Sequence, residues 1–423
     1  MIAILLTFLV LLVIGIPIAF ALGLAAYVYV ITNTSLPPLI VFQRMFASID
    51  SFPFMAIPFF MLAGNLMFAG GLADKIIDLS KVLVGHMRGG LANVSIVASM
   101  FFGGVSGSSV ADASALGSIL VPAMKRQGYS SPFSAAINAT SSTVGIIIPP
   151  SIPMILTGVA TGLSIRELFF GGLLPGILVG IIMLITTTII STRHNFPRTP
   201  RAPMKQMLLV SLRATPALVM VFIILGGILG GIFTPTEASV VAALYGLLTG
   251  FLYRGLTWKK LHKAFIDSAI SSAVVMMVIA TAGVLTWLLA FSRIPQALAV
   301  YLSGVIDSPV LLMVVLATAF LIAGTVLDVS PAVLLFGPIL LPVVQAIGVD
   351  PIFFGVIMVF SLSIGLFTPP VGTTLIISAY ISGDSVLSVA RDCLPYLISM
   401  VALLYLLIFY SDLVLWIPTA LFR

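Results

Sequence analysis

The sequence predicts an all-α integral membrane protein built as an inverted repeat. Three observations support this: a very apolar composition, a one-sided distribution of basic residues, and an internal repeat. Of the 423 residues, 60% are hydrophobic and only 8% are charged, whereas charged residues make up about a quarter of an ordinary soluble domain. Because no soluble core hides this much apolar surface, lipid must solvate much of the chain.

Continuous apolar segments mark the predicted spans, since a helix needs about 20 apolar residues to cross a bilayer. Several are short, which indicates tilted or locally broken helices. The N-terminal run lacks a basic leader and is too long for a signal-peptide core, so we interpret it as two retained spans. The predicted spans are Ile2–Gly15, Ile18–Thr32, Pro53–Gly70, Phe169–Ile190, Ala214–Gly231, Ala238–Tyr253, Ala269–Phe291 and Pro395–Tyr410.

Two further regions, 89–163 and 309–380, are apolar but interrupted by clusters of Gly, Ser, Thr and Pro. Irregular backbone cannot face lipid, because its N–H and C=O groups would have no hydrogen-bond partner. We therefore expect the interruptions to be buried in protein or to line a cavity. Within these regions, 95–120 and 312–342 are predicted to be re-entrant hairpins, which enter and leave the membrane on one side.

With both hairpins in place, the basic residues segregate to one face of the membrane. Of 19 Lys and Arg residues, 15 fall on one face and four on the other, namely Arg44, Arg166, Arg293 and Arg423. Cytoplasmic loops carry an excess of Lys and Arg, so the richer face is expected inside and both termini outside. The net charge of +6 thus reflects topology and gives no reason to expect a nucleic-acid partner.

An internal repeat emerges when the chain is compared with itself, with Gly104 aligned to Gly324. Residues 104–150 then lie over 324–370 without a gap, and 12 of the 47 pairs are identical. The identical pairs include residues that shape the backbone, among them Pro149–Pro150 with Pro369–Pro370. A shared register of glycines and prolines is not expected from apolar composition alone.

Each half is therefore expected to contain about five spans and one re-entrant helical hairpin. An odd number of spans turns the second copy upside down, and inverted repeats with broken helices are typical of secondary transporters with a binding site near the midplane. The predicted boundaries are 1–210 for the first repeat (scaffold helices 1–72, transport elements 89–163) and 211–423 for the second (scaffold helices 211–291, transport elements 309–380).

The first half contains a small-residue tip at 103–109 and a polar, proline-terminated break at 138–150. Hydroxyls and exposed carbonyls at the tip are the hard oxygen ligands that a sodium ion requires, and the helix that follows points its positive end at the tip. Pro149 and Pro150 have no N–H group, so carbonyls one turn earlier lose their helical donors. A tight turn and a plain proline kink are the structural alternatives.

The second half repeats this arrangement with a tip at 324–330 and a break at 361–374. Two such pairs predict two cation sites flanking one substrate site. Asp112 and Asp328 follow the two tips, and carboxylates at membrane depth are functional candidates. Three roles stay open for them: neutralising a cation, relaying a proton, or capping a helix. Glu237 is better explained as an N-terminal helix residue.

Motifs of soluble enzymes are missing. No phosphate-binding loop ending in Gly-Lys-Ser/Thr and no His-Glu-x-x-His pattern occurs, so this chain is not expected to hydrolyse ATP or to be an enzyme. Its one cysteine, Cys393, and three scattered histidines predict no disulfide or transition-metal site, and no organic cofactor is expected. Besides an ion-driven transporter subunit, a proton-coupled or stand-alone anion carrier and an intramembrane enzyme remain as alternatives.

Five motifs together resemble the large membrane subunit of TRAP (tripartite ATP-independent periplasmic) transporters. The resemblance covers nearly the whole chain, and the combination is specific although the Gly-Ser tip alone is not. The motifs are GIPIAFA at 15–21, FFGGVSGSS at 101–109, IIIPPS at 146–151, GIFTPTEA at 231–238 and FTPPVG at 367–372.

The resemblance implies sodium-driven import of an organic acid, such as a dicarboxylate, sialic acid or a sugar acid, across the bacterial inner membrane. It also implies an elevator-type ion-transporter fold, in which a transport domain slides against a scaffold. Two partner chains are implied: a small four-helix membrane subunit and a soluble periplasmic substrate-binding protein. Membrane lipid surrounds the assembly.

The resemblance further implies two sodium sites made largely of backbone carbonyls. The first would use Ser106, Gly145, Ile148 and Pro150, and the second Gly324, Gly365, Thr368 and Val371. Polarity and depth alone indicate the substrate-side candidates, which are Ser108, Ser109, Asn138 and Thr374. Asp112 stands where the family leads us to expect a small neutral residue, so Asp112 and Asp328 are kept as candidate coupling carboxylates with an open role.

Overall fold

The computed structural model describes residues 2–194, 196 and 200–422, and every regular element in these ranges is helical. Arg198 and Arg423, two of the residues in the predicted charge asymmetry, lie outside them. The first half contains α1 (Ile2–Val13), α2 (Ile18–Asn33), α3 (Leu39–Ile49), α4 (Ala56–Ala69), α5 (Leu72–Val84), α6 (Gly90–Ser106), α7 (Ser109–Arg126), α8 (Ser131–Ser141), α9 (Ile152–Thr161) and α10 (Ile165–Arg193).

The second half has the same order of hairpin, broken helix and long helix. Its elements are α11 (Met204–Leu229), α12 (Pro235–Leu252), α13 (Trp258–Phe291), α14 (Ile294–Ser303), α15 (Pro309–Gly324), α16 (Val329–Ala346), α17 (Pro351–Gly365), α18 (Thr373–Ser382), α19 (Val386–Phe409) and α20 (Asp412–Phe422). In this order α6–α10 correspond to α15–α19, as the register of the sequence repeat predicts.

Seven helices in the described ranges are long and apolar enough to cross a membrane. Six of them contain or overlap predicted spans, and the seventh, α16, is an arm of the second predicted hairpin. The first two predicted spans form helices of only 12 and 16 residues. The chain is thus an all-α, multi-pass integral membrane protein.

The basic segment at 254–263, which lies between the predicted spans Ala238–Tyr253 and Ala269–Phe291, is largely helical. Helix α13 begins at Trp258 and runs for 34 residues, so Lys259, Lys260 and Lys263 are helical. The hydroxyl of Thr257 accepts a hydrogen bond from the backbone N–H of Lys260 at 3.4 Å, and this N-cap starts the helix. Glu237 has its predicted role, because it forms a reciprocal capping box with Thr234 at the start of α12.

The helices can be divided into two groups, which also contact each other where α5 packs on α6 and α13 packs on α16. In the first, which we call the scaffold group, α13 packs against α2, α3 and α4, while α12 packs against α4 and α11 packs against α5. In the second, the hairpin group, elements of the two halves interlock: α18 packs against α7 and α8, and α16 packs against α9. Helices α10 and α19 pack on each other and on α6 and α8 respectively, so the hairpin group extends beyond the predicted transport elements.

Polar side chains also join the two halves within the hairpin group. The Lys125 ammonium donates to the Ser382 carbonyl at 2.8 Å, and the Ser131 hydroxyl donates to the Asp384 carboxylate at 2.5 Å. Deeper in this group, the hydroxyls of Thr187 on α10 and Tyr396 on α19 are hydrogen-bonded at 2.8 Å, and both residues are fully buried. The halves are therefore held together by specific bonds as well as by apolar packing.

The Tyr396–Thr187 hydrogen bond gives a stability test. Tyr396→Phe leaves the buried Thr187 hydroxyl without this partner, which we expect to cost about 1–3 kcal/mol. The matched control is Tyr405→Phe, because Thr318 loses the Tyr405 hydroxyl but keeps its bond to the Val314 carbonyl. Thermal unfolding of the detergent-purified chain should show a clearly lower midpoint for Tyr396→Phe alone; equal midpoints for the two variants would contradict this.

Candidate functional site

The tip of the first hairpin is shorter than the segment 103–109 predicted from the sequence. Helix α6 continues through Gly103 and Gly104 to Ser106, and the turn consists of Gly107 and Ser108. Gly107 has a φ of 59°, in the left-handed region that glycine adopts freely. The Ser108 hydroxyl then caps α7 by accepting from the Ala111 N–H at 3.4 Å.

The glycines before the turn instead allow the backbone of the hairpin to approach the backbone of the broken helix closely. A Cβ atom added to Gly103 would lie 2.0 Å from the Cα of Gly145, on the broken helix of the same half. A Cβ atom on Gly145 would lie 2.3 Å from an oxygen of Asp112. Only glycine permits this approach, so the hairpin and the broken helix touch through their backbones.

The first break also begins later than predicted. Helix α8 continues to Ser141 and passes into a 3-10 turn over Ser142–Ile146, because the hydroxyls of Thr140 and Ser142 donate back to carbonyls of the same helix. The N–H groups of Ile147 and Ile148 still donate to the Val144 carbonyl, and the helical hydrogen bonding ends at the cis Pro149–Pro150 bond. Among the described residues, none donates a backbone hydrogen bond to the carbonyls of Ile148 or Pro150.

The second half repeats this geometry. A Cβ atom on Gly365 would lie 2.2 Å from the carbonyl carbon of Gly324, at the end of α15. The Gly372 N–H donates to the Thr325 carbonyl at the second tip at 3.3 Å. Its counterpart in the repeat register, the Ile152 N–H, donates to the Gly107 carbonyl at the first tip at 3.4 Å. Each tip is thus bonded to the break of its own half, and we call these two arrangements the first and second tip–break pairs.

The eight predicted sodium ligands all fall on these two pairs, and their role as ligands remains a prediction. In the second pair, the Thr368 N–H donates to the Gly365 carbonyl at 3.0 Å and its hydroxyl donates to the Ile364 carbonyl at 2.9 Å. The ligands predicted in the first pair are Ser106, Gly145, Ile148 and Pro150, and those in the second are Gly324, Gly365, Thr368 and Val371.

Asp112 lies at the first pair and is completely buried. One carboxylate oxygen accepts a hydrogen bond from the Ser106 hydroxyl. The other has no hydrogen-bond partner among the described residues. A buried carboxylate oxygen without a partner is costly at membrane depth, and it marks a place where a cation or a proton would be stabilised.

Asp328 has a different position. It caps α16 by accepting from the Ser330 N–H at 3.3 Å, and it also accepts from the Thr373 hydroxyl at 3.4 Å. Capping, one of its three predicted roles, is therefore observed. In the repeat register Asp328 corresponds to the other cap, Ser108, so Asp112 and Asp328 are not symmetry-related.

A cavity of about 450 Å³ lies between the two tips and the scaffold helix α13. The predicted residues Ser108 and Ser109 line it, together with Asp328. Helices α7, α9 and α16 begin at its wall, so their positive N-terminal ends face the same space. Ser271 on α13 and Ser330 also line the cavity, although neither is among the substrate-side residues predicted from the sequence.

The other two substrate-side candidates do not line this cavity. The Asn138 amide donates to the Ala113 carbonyl at 2.9 Å and to the Ser378 hydroxyl at 2.8 Å, so it links α7, α8 and α18. The buried Thr374 hydroxyl donates to the Leu366 carbonyl at 2.9 Å and secures the second break. In this structure both side chains hold the hairpin group together.

A largely apolar cavity, with a few polar groups at its wall, lies beside paired hairpins and broken helices, and this arrangement is typical of membrane transport proteins. Residues 5–413 match the family described as "Tripartite ATP-independent periplasmic transporter, DctM component". The chain belongs to this family and is the large, translocating membrane subunit of a TRAP transporter, integral to the inner membrane. TRAP systems are tripartite, with a small membrane subunit and a periplasmic binding protein.

The names of related proteins agree with this assignment. The chain is 39% identical to the 2,3-diketo-L-gulonate TRAP transporter large permease protein YiaN of Escherichia coli, over 95% of each chain. It is 37% identical to the C4-dicarboxylate TRAP transporter large permease protein DctM of Pseudomonas aeruginosa, over 86% of this chain and 85% of that one. The crystal structure of the Alcanivorax borkumensis YdaH transporter has the same fold, with a TM-score of 0.66 and 14% identity over 90% of this chain and 89% of that one.

The close glycine contacts give a test of the tip–break pairs. Gly145→Ala and Gly365→Ala place a methyl group 2.3 Å and 2.2 Å, respectively, from the nearest neighbouring atom, so each should separate a tip from its break. We expect substrate uptake to fall at least about tenfold, equivalent to about 1.4 kcal/mol. The measurement is uptake into proteoliposomes at equal protein content.

Gly226→Ala is the matched control for this test, because a Cβ atom there meets nothing within 4 Å on the scaffold helix α11. It should transport as the parent chain does. Normal uptake by both pair variants would contradict a functional role for the close contacts.

Proposed function

We propose that this chain imports a small organic acid by coupling its movement to that of sodium ions down their gradient. The observation that supports the proposal best is the pair of tip–break contacts beside one cavity. In each, a hairpin tip meets a broken helix that ends in two prolines, which have no N–H group to donate to the carbonyls one turn earlier. Such breaks at an inverted-repeat interface are where secondary transporters bind substrate and coupling ions.

The proposed sodium ions bind one at each tip–break pair. Carbonyl and hydroxyl oxygens are the ligands that hard cations prefer. At the first pair, the carbonyls of Ile148 and Pro150 and the free oxygen of Asp112 offer oxygen atoms that the described residues do not otherwise satisfy. A sodium ion there would be the partner that the buried carboxylate lacks.

The proposed substrate occupies the cavity between the two tips and α13 as an anion. Three helix N-termini face this space, and each favours negative charge. The names of two relatives specify 2,3-diketo-L-gulonate and C4-dicarboxylates, which are carboxylate anions of a size that such a cavity holds. A dicarboxylate, sialic acid or a sugar acid fits this description. We infer that the binding protein determines which of these substrates is transported.

Movement of the hairpin group against the scaffold group is the proposed transport step. Both tips, both breaks and about half of the cavity wall belong to the hairpin group, while α13, the start of α2 and Met61 on α4 supply the opposing wall. An elevator motion would carry substrate and ions together past α13. The small four-helix subunit is proposed to enlarge the scaffold, and the periplasmic protein to deliver the substrate.

A proton-coupled or stand-alone anion carrier is the second candidate. The buried Asp112 is the observation that favours it, because the carboxylate oxygen without a hydrogen-bond partner would also accept a proton. Asp328, which faces the cavity, would be the second titrating group. The two candidates differ in the driving ion and in the need for a binding protein.

Reconstituted transport separates them. Proteoliposomes holding this chain and its small membrane partner are given labelled substrate with or without an inward sodium gradient, and with or without the binding protein. We expect uptake only when both are present, because the ions stabilise the tips and the binding protein loads the site. Uptake driven by a proton gradient at zero sodium, or uptake without the binding protein, would favour the second candidate.

A further inference from the structure

A second cavity, of about 550 Å³ and more polar than the first, lies beside the base of the first hairpin. It is separated from the tip by the length of α6, which at 17 residues spans about 25 Å. Its wall combines the end of α5, the start of α6, Gln127 after α7 and the segment that leads into α11. The transport proposal does not use this cavity.

The wall of this cavity is rich in basic residues. Lys81, His86 and Arg201 line it, and no carboxylate from the described residues does. Lys81 makes an ion pair with Asp78 at 3.0 Å, with both side chains about half exposed. Exposed pairs of this kind contribute little, so Lys81 is readily available to another anion.

Two helix N-termini add to this positive character. Helix α6 begins at Gly90 and α11 at Met204, and residues of the first turn of each line the cavity. The first N–H groups of a helix have no partner within it, and together with the helix dipole they favour a bound anion such as phosphate.

The position of the cavity relative to the membrane indicates which kind of anion could reach it. Met204, Leu208 and Leu212, which share one face of the first three turns of α11, are 79%, 63% and 65% exposed. Apolar side chains exposed from the first turn, beside the exposed Lys205 and Arg213, are typical of a helix that enters the hydrocarbon from the head-group region. The cavity therefore lies at head-group level on the basic face, and Val82, Leu91 and Val94 supply apolar wall beside its charged groups.

We propose that this cavity binds the phosphate head group of an anionic phospholipid. A basic pocket between membrane helices on the cytoplasmic side is suited to such a head group. The lipid would touch both helix groups at once, since α5 and α11 belong to the scaffold group and α6 to the hairpin group.

Native mass spectrometry of the chain released from nanodiscs tests the proposal, with phosphatidylglycerol as the probe and phosphatidylcholine as the uncharged comparison. The variant carries Lys81→Gln, His86→Gln and Arg201→Gln together. Removing two permanent cations at head-group level should weaken phosphatidylglycerol binding roughly thirtyfold, while phosphatidylcholine binding stays unchanged.

The matched control is Arg254→Gln, Lys259→Gln and His262→Gln, which removes the same three residue types from another exposed part of the basic face. It should retain phosphatidylglycerol as the parent chain does. Equal retention by all three proteins, or equal losses in both variants, would overturn the proposal. If the triple variant unfolds, Arg201→Gln alone should weaken binding about fivefold, and an unchanged affinity would also overturn it.

A further arm distinguishes lipid from a free anion. Inorganic phosphate at millimolar concentration should leave phosphatidylglycerol bound, because a free anion has no acyl chains in the membrane. Complete displacement by inorganic phosphate would make the cavity a site for soluble anions and overturn the lipid assignment. None of these measurements depends on transport, so they stand apart from the proposed function.

Discussion

Within a bilayer every backbone polar group must find its partner inside the protein, and this constraint shapes the centre of the molecule. The chain is interrupted at two places in each half, at a hairpin tip and at a proline-terminated break. The structure satisfies the constraint by bonding each tip to a break, through Ile152 and Gly107 in the first half and through Gly372 and Thr325 in the second. The carbonyls of Ile148 and Pro150, which accept no backbone hydrogen bond from the described residues, are among the candidate ion ligands. Irregular backbone and the proposed function therefore have one physical origin.

The two halves share a backbone plan but differ in charge. Ser108 and Asp328 hold equivalent capping positions, so the second hairpin places a carboxylate at the cavity where the first places a hydroxyl. At the first pair the carboxylate is instead Asp112, whose counterpart in the repeat is Ala332. Each half thus has one acidic side chain near its tip, buried in the first and facing the cavity in the second. If each tip–break pair holds an ion as proposed, the two sites therefore differ in the charge around them.

The membrane class, the repeat and both hairpins were predictable because glycine and proline act locally on the backbone. The residues at which each helix begins and ends were not predictable. Helix α6 continues through Gly103 because that glycine meets Gly145 across the fold, and such a contact between distant residues leaves no local signal. Likewise, polarity marked Asn138 and Thr374 as substrate-side residues, whereas tertiary partners bury them. Ser271 and Ser330 line the cavity only because α13 and α16 approach it together.

Direct binding of radioactive sodium to the purified chain and its small membrane partner tests most directly whether each tip–break pair holds an ion. Equilibrium dialysis should give two sodium ions for each parent chain and about one each for Gly145→Ala and Gly365→Ala, with Gly226→Ala unchanged at two. Absence of sodium binding to the parent chain would contradict the two-site proposal, as would an undiminished count in both pair variants.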